Sequence, residues 1–545
     1  MPPPFTPLWA RLRPAEGAAP HAWTSWPGPV IAAQTVPHEG RTVYASISFT
    51  TPHRLNVLEA VTGQRLAPPM VCHAGQDTFA LVAGPTVLVG AGTNDLIEPL
   101  RQVRHRYSED SSADIRLVAS VTGSAEPLLV TAHPFQGIKL WDAASQACLA
   151  DVRLAALGSP DRLCAGLLRG KPHAVVSDGA QLCTYEADSG HVVARWTSLN
   201  SDIVRMTWAQ GVVGSPDAVV TADSRSRLQA WDPRTGEPLG EAQPLPGRPL
   251  HLSAALVEVG GTSLPLVACA YGDGVHLLRT DSGDTLLDLS VSAWTRTAHL
   301  TTDGLLLLGT LAGPVALRLD TDRLASGSEE HAELDLTGFS TPEKSDEDAA
   351  PDTSGQPSHT DLVKLWGTDQ VIVLPDSHLS GNTTAPNREV LCDVSLPLAP
   401  FPGLTLDQDL ATDGLAPLEE VGVGPVDPDD PDARPVPEGL DGYHWLGTWH
   451  DDDLVLSPTG AVEVVGAETG YEEAQPVNSS LAAFVTFTYE FALAALQQEP
   501  EYGGDAQEVR AERLEQRLRA IDEIAFASDS SEHWADALSD LEAGM

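Results

Sequence analysis

At 545 residues the chain exceeds what one ordinary core can organise, and about two to four domains are expected. Its 32 Lys and Arg against 76 Asp and Glu give a formal charge of -44 at pH 7, spread over many segments. Such a surface repels phosphate backbones and anionic lipid, so neither nucleic acid nor a membrane is expected as a direct partner; a basic protein is favoured, unless the acidity serves solubility alone. Cys72, Cys148, Cys164, Cys183, Cys269 and Cys392 show no Cys-x-x-Cys or zinc spacing and read as reduced core residues. No basic stretch leading into an apolar run opens the chain, and the apolar windows 305–317 and 481–496 are too short to span a bilayer, which points to the cytoplasm.

Residues 1–29 are rich in Pro and Trp (Trp9, Trp23, Trp26) without periodicity, and read either as a strand that closes a ring or as a loose arm. From Val30 one phrase recurs: LNVLEAVTGQRL at Leu55, IKLWDAASQACL at Ile138, LCTYEADSGHVV at Leu182, LQAWDPRTGEPLGE at Leu228 and HLLRTDSGDTLL at His276. Each alternates up to an anchor, turns at a small residue and leaves as a second extended segment, which describes a β-hairpin. Aligning Gly63, Gly190, Gly236 and Gly283 places Leu58, Tyr185, Trp231 and Leu278 in one column, with Trp141 in register between them. These anchors recur at roughly 40 to 47 residues, the period of four-stranded propeller blades. Asp178-Gly179 and Asp273-Gly274 add a second hairpin signal ahead of the phrase, since both central residues of a type I′ turn need positive φ. Blades are expected at about 30–72, 73–110, 111–154, 155–198, 199–245, 246–290 and 291–325, with six as the alternative count.

Residues 30–325 thus resemble WD-repeat β-propellers, through Trp141-Asp142, Trp231-Asp232 and the turn glycines, but without the Gly-His pair that usually opens each repeat. The resemblance implies an all-β propeller, seven-bladed by the count above, with Trp141, Asp142, Trp231 and Asp232 as structural residues. Propellers of this kind mostly bind proteins, although fold alone assigns no partner.

Residues 326–360 lose the strand pattern, turn acidic and Ser/Pro-rich, and read as a linker. The expected layout is therefore an arm at 1–29, a propeller at 30–325, an acidic linker at 326–360 and a smaller α+β domain at 361–545. In that last part NREVLCDVSLPLAPF suggests a short helix running into an extended segment, and 405–442 is an acidic, Pro-rich insertion. YHWLGTWHDDDLVLSPTGAVEVVG reads as three strands. Asn478 or Ser479 is the expected cap of a helix with Leu481, Phe484, Val485, Thr488, Phe491 and Leu496 on its apolar face. An amphipathic helix over 505–525 carries Leu514, Leu518 and Ile521 on one side, and a final short helix docks through Trp534 and Leu538.

The order of Asn387 to Phe401, Leu446-Gly447, Leu454 to Val462 with Gly460 in the turn, and Val477 to Leu481 with Asn478 and Phe484 resembles the SUKH immunity superfamily, especially its actinobacterial fourth subgroup. That resemblance implies an α+β domain that neutralises secreted nuclease or deaminase toxins by binding them. Ser395 stands where the family usually has Gly, and Ser457 where Asp often precedes the turn.

Enzyme signatures are missing: there is no G-x-S-x-G, H-E-x-x-H, P-loop or suitably placed G-x-G-x-x-G. Asp409, Asp413, Gly414 and Glu420 imitate part of a calcium loop, but Ala411 occupies a ligand position, and no metal or cofactor is expected. Asp429, Asp430, Asp432, Asp451 and Asp452 are the candidate partner-binding residues, with a solvated loop as the plain alternative. The expected function is a non-enzymatic, cytoplasmic immunity protein that binds a basic toxin domain; the alternative is a propeller-based interaction scaffold with a regulatory C-terminal domain.

Overall fold

The structure is a computed structural model and describes residues 3–13, 26–38, 41–48, 53–67, 69–71, 79–83, 86–89, 95–98, 103–106, 117–122, 124, 128–133, 137–142, 145, 147–153, 160–198, 201–212, 217–259, 262–325, 329–336, 339, 356–379, 383–401, 403–407, 409–423, 439–450, 452–466, 471, 473–496, 505–527 and 532–543. Trp23, Cys72, Asp429, Asp430, Asp432 and Asp451 lie outside them.

The recurring phrase folds the same way each time. Gly63, Gly190, Gly236 and Gly283 have φ of 68°, 71°, 74° and 78°, and their N–H groups donate to the carbonyls of Glu59, Glu186, Asp232 and Arg279 at 2.8 to 2.9 Å. A Cβ is strained at that φ, which is why glycine recurs. The anchors Leu58, Tyr185, Trp231 and Leu278 are buried beneath these turns. Trp141 and Trp231 each donate Nε1 to a threonine on the neighbouring strand, Thr131 at 2.9 Å and Thr221 at 2.8 Å. The acids that follow them hold the turn: Asp142 accepts from the Ser145 hydroxyl, and Asp232 from the backbone and guanidinium of Arg234.

Four-strand antiparallel meanders follow one another at 30–71, 79–106, 117–152, 162–197 and 203–244. The long strand Thr285–Leu300 serves two meanders. Its first half pairs with Gly272–Arg279 and completes 251–290, while its second half pairs with Leu305–Thr310 and opens the next. That last meander is completed from the far end of the sequence, because Phe5–Ala10 pairs with Gly313–Leu319. The first strands of the meanders neighbour one another in cyclic order, from Val30–His38 through Phe79–Ala83, Leu117–Thr122, Arg162–Leu168, Ile203–Ala209 and His251–Val259 to Thr285–Leu300 and back to Val30–His38. The N-terminal region is thus mostly β and propeller-like, a closed ring that leaves few free sheet edges.

Some expectations change. The positive φ of the 270–275 turn belongs to Gly272, at 94°, and Asp273-Gly274 lies inside the strand Gly272–Arg279. The linker expected from residue 326 is part of a sheet at its start: Glu330–Leu334 pairs in parallel with Leu287–Val291, burying Leu334 and Leu336 against the apolar cluster there. Two apolar residues in an acidic run suffice once a sheet edge is available. At the other end, helix His359–Trp366 starts from a capping box between Ser358 and Asp361, so the C-terminal domain begins before residue 361. Cys148 is exposed and Cys392 half-buried, so the cysteines do not all belong to the core.

In the C-terminal domain Leu404–Leu406, His444–Trp449, Asp452–Leu456, Val462–Val465 and Gln475–Asn478 form an antiparallel sheet, and Ala416–Pro417 adds to His444–Trp449. Helix Leu481–Leu496 is buried on nearly all sides, not along one face. Its first turn is held by Ser480, whose hydroxyl accepts from the Ala483 N–H, instead of by Asn478 or Ser479. Asn478 is buried and structural: its amide donates to Asp522 at 3.1 Å and its carbonyl oxygen accepts from Trp534 Nε1 at 3.1 Å. Trp534, fully buried, is ringed by Phe401, Trp449, Phe484, Phe487 and Phe491 at 4.8 to 6.3 Å between centroids. Ile521 is 42% exposed, because helix Asp505–Ile521 ends there and the chain turns away. Trp26 shares the apolar cluster of this domain while its Nε1 donates to Ala312 of the ring, tying the two regions together.

Candidate protein-binding face of the C-terminal domain

The sheet has two unlike faces. A strand sends successive side chains to opposite sides, so Leu454, Leu456, Val462 and Val464 pack on the helices, while Val455 and Val465 pack on a small cluster with Leu418, Val423 and Leu440 from the insertion. The bulge at Leu446 lets both Leu446 and Trp449 reach the helical side. It needs Gly447, at φ 150°, where a Cβ would stand 2.2 Å from the Thr405 carbonyl oxygen.

This alternation divides the Asp run. Asp452 turns to the helical side and meets His533 Nε2 at 3.1 Å. Asp453 turns to the other face, is 5% exposed and accepts from Trp445 Nε1 at 3.1 Å. The described candidate Asp452 is therefore engaged within the domain. Sequence reasoning passed over the residues beside Asp453: Tyr443 and Trp445 stand half-buried against the same small cluster, and the Glu463 carboxylate accepts the Tyr443 hydroxyl at 3.0 Å. Burial pushes the Glu463 carboxyl above its ordinary value, and burial followed by the nearby Glu463 charge takes the Tyr443 phenol to about 12. Burial likewise lowers His444, while Glu419 pulls it back up. The period-2 spacing of Tyr443 and Trp445, read together with Val455 opposite, was the signal that could have exposed this face.

The face offers aromatic surface with acceptors among it, and the composition suits protein contact: Tyr and Trp supply large, stiff contact area, while a desolvated carboxylate attracts a cation. Asp429, Asp430 and Asp432 lie outside the described residues, in the sequence between Val423 and Leu440, which both belong to the small cluster on this face. Where the sequence suggested a calcium loop, Leu410–Asp413 forms a helical turn, and among the described residues no group of three or more His, Cys, Asp or Glu is placed to hold a metal ion. No described helix is long and apolar enough to cross a membrane.

The two departures from the immunity-family pattern have local explanations. Ser395 ends the helical turn Val390–Val394 at φ 93°, a conformation that favours glycine, and its hydroxyl is held by His359 Nδ1 at 2.6 Å. Ser457 uses its hydroxyl to accept the Ala461 N–H at 3.1 Å across the Gly460 turn, the task a carboxylate would perform. Gly460 itself has φ 98° and lies against Asn387.

Residues 357–540 match the family model described as SUKH-4 immunity protein. No curated protein matches the chain. Among solved structures, BBS1N in complex with ARL6DN has 14% identity and a TM-score of 0.43, covering 58% of this chain and 99% of that one. U3-55K follows at 12% and 0.42, covering 56% and 97%, and the computationally designed Ika8 protein at 15% and 0.37, covering 57% and 99%.

Proposed function

From the immunity-family match of residues 357–540, we propose that the chain is a non-enzymatic, cytoplasmic immunity protein whose C-terminal domain binds and blocks a basic toxin domain of the nuclease or deaminase type. The observation that carries the basic partner is Glu463: a half-buried carboxylate whose hydrogen-bond partner on the face is a neutral phenol gains most from an incoming Lys or Arg. A polyanion-binding cleft must be electropositive, so the -44 chain is steered toward it before contact. Asp429, Asp430, Asp432 and Asp451 then act on the association rate, while Tyr443, Trp445 and Glu463 act on dissociation. Asp452 contributes mainly by holding His533.

We further infer a seven-bladed, WD-repeat-like ring at 30–325, supported by the seven-membered cycle of first strands and by the paired Trp–Thr bonds of Trp141 and Trp231. A propeller-based interaction scaffold with a regulatory C-terminal domain is the second reading, supported by the closed cycle of meanders.

Co-expressing the full chain with a toxin-like reading frame from beside its gene tests the main proposal. Growth should be rescued. Trp445→Ala and Glu463→Gln should speed dissociation, by about tenfold for a buried hot spot, while Asn at 429, 430 and 432 should slow association at low salt. No rescue by the full chain sinks the immunity reading; rescue with binding indifferent to Trp445 and Glu463 keeps immunity and removes this face.

A further inference from the structure

The ring is held shut without a covalent joint, since Phe5–Ala10 and Gly313–Leu319 lie far apart in the chain and meet only by pairing. The closing strand also reaches the first meander: Trp9 Nε1 donates to the Ala60 carbonyl at 2.9 Å. Arg11 spans both sides, its N–H donating to the Pro314 carbonyl at 3.0 Å and its Nε to the Gly63 carbonyl at 2.6 Å. Successive meanders elsewhere are joined by the chain itself. The ring therefore opens first at this seam, because a terminal strand can leave its partner while the other sheets stay folded.

Trp26, buried, stands where three parts of the molecule meet. Its Nε1 donates to the Ala312 carbonyl of the last meander at 3.0 Å, the same oxygen that receives the Arg13 N–H at 2.8 Å. The next residue ties it to the first meander, because the Pro27 carbonyl accepts from the buried Asn56 amide at 3.0 Å. Its indole belongs to the apolar cluster of the C-terminal domain, together with Leu362, Leu365 and Trp366 of helix His359–Trp366. The two regions also meet where Met70–Val71, the outer strand of the first meander, lies near the helical turn Thr368–Gln370. The turn that receives Trp26 allows the close approach only as glycine: at Gly313, with φ 131°, a Cβ would stand 2.1 Å from the Arg11 carbonyl oxygen and 3.0 Å from Trp26 Nε1.

We propose that closure of the ring and seating of the C-terminal domain are one coupled event, with Trp26 as the residue that couples them. While the seam is shut, the last meander presents the Ala312 carbonyl, the indole is fixed by it, and the C-terminal domain packs on a surface already in place. When the seam opens, Ala312 departs with the last meander; the indole loses its bond and the domain loses a fixed seat. Each region thus makes contacts in the closed state that it forfeits in the open one, which is the condition for a coupling free energy between them. The coupling is reciprocal: whatever steadies the C-terminal domain also holds the ring shut, and loosening the closing strand loosens the domain.

This device is independent of the toxin-binding reading, and its test needs no toxin. Amide hydrogen exchange on the full chain follows three places: the closing pair Phe5–Ala10 and Gly313–Leu319, helix His359–Trp366, and the remote meander 162–197 as control. Trp9→Ala loosens the closing strand and should speed exchange in the helix about tenfold, with the control unchanged. From the other side, Trp534→Ala should speed the closing pair by a similar factor. Trp26→Ala should cut the link, so that adding Trp9→Ala to it leaves the helix as it was. Trp26→Phe, which keeps an apolar ring and removes only the Ala312 bond, carries the same test in a gentler form and should shrink the transfer. A helix indifferent to Trp9→Ala while the closing pair speeds up, a transfer of full size in both folded Trp26 variants, or a control meander that speeds up equally overturns the proposal.

Discussion

The ring and the C-terminal domain solve burial in opposite ways. In the ring one solution is repeated: a glycine turn at φ near 70°, an anchor beneath it and, twice, a tryptophan pinned to a threonine. In the C-terminal domain one residue is the hub, since Trp534 contacts five aromatic rings and closes a chain of hydrogen bonds through Asn478 to Asp522. Repetition spreads stability over many equivalent sites; a hub concentrates it. The first arrangement tolerates a defective copy, as in the meander at 79–106, which lacks an aromatic anchor in the sequence. The second does not.

Removing the hub should therefore have the largest effect. Trp534→Ala deletes a fully buried ring and strands Asn478, and should cost about 5 kcal/mol, enough to unfold the domain. Near-UV circular dichroism through a urea titration would show it, and a loss below about 1 kcal/mol would mean that no hub exists. Trp231→Ala comes next, at about 3 to 5 kcal/mol, with a similar loss for Trp141→Ala. A marked inequality between the two would break the idea of equivalent blades. Thr221→Val, which keeps the shape and removes the acceptor of Trp231 Nε1, should cost about 1 kcal/mol.

Acid separates the regions less sharply. His533 is lowered chiefly by burial, with Asp452 raising it, His450 lowering it and Asp536 raising it; His299 in the ring is lowered further, again by burial first. A histidine depressed in the folded state takes up its proton more readily when unfolded. The stability it contributes is complete above the unfolded value of about 6.5 and is lost as pH falls through the folded value. Both regions should thus lose stability below about pH 6.5. Asp452→Asn should deepen the loss in the C-terminal domain alone, and thermal melts from pH 7 to 5 would read it. The smallest effect is expected at Ser395. Glycine there relieves strain of about 1 kcal/mol but gives up the His359 bond, worth about as much, so Ser395→Gly should be nearly neutral while Ser395→Ala should cost about 1 kcal/mol.

Much of this architecture is legible in the chain because it is local. A hairpin depends on residues within about ten positions, so the alternation, the turn glycines and the spacing of Leu58, Tyr185, Trp231 and Leu278 mark the meanders directly. In the C-terminal domain the order of three strands and three helices is likewise written in periodicity; the departure at Ser395 is visible only against the family resemblance, and its positive φ explains why a glycine suits that position. What depends on distant partners is not written that way. Phe5–Ala10 becomes the closing strand only because Gly313–Leu319 offers an edge some 300 residues later, and Glu330–Leu334 becomes a strand only beside Thr285–Leu300. The division of Asp452 from Asp453 needs the bulge at Leu446, and the aromatic face with Glu463 needs the pairing of two strands that alternation alone does not orient. Arg162, Arg205 and Arg296 are ordinary scattered cations in a chain of net charge -44; closing the ring is what brings them to one cavity, because only a closed cycle turns the same end of every first strand toward a common axis.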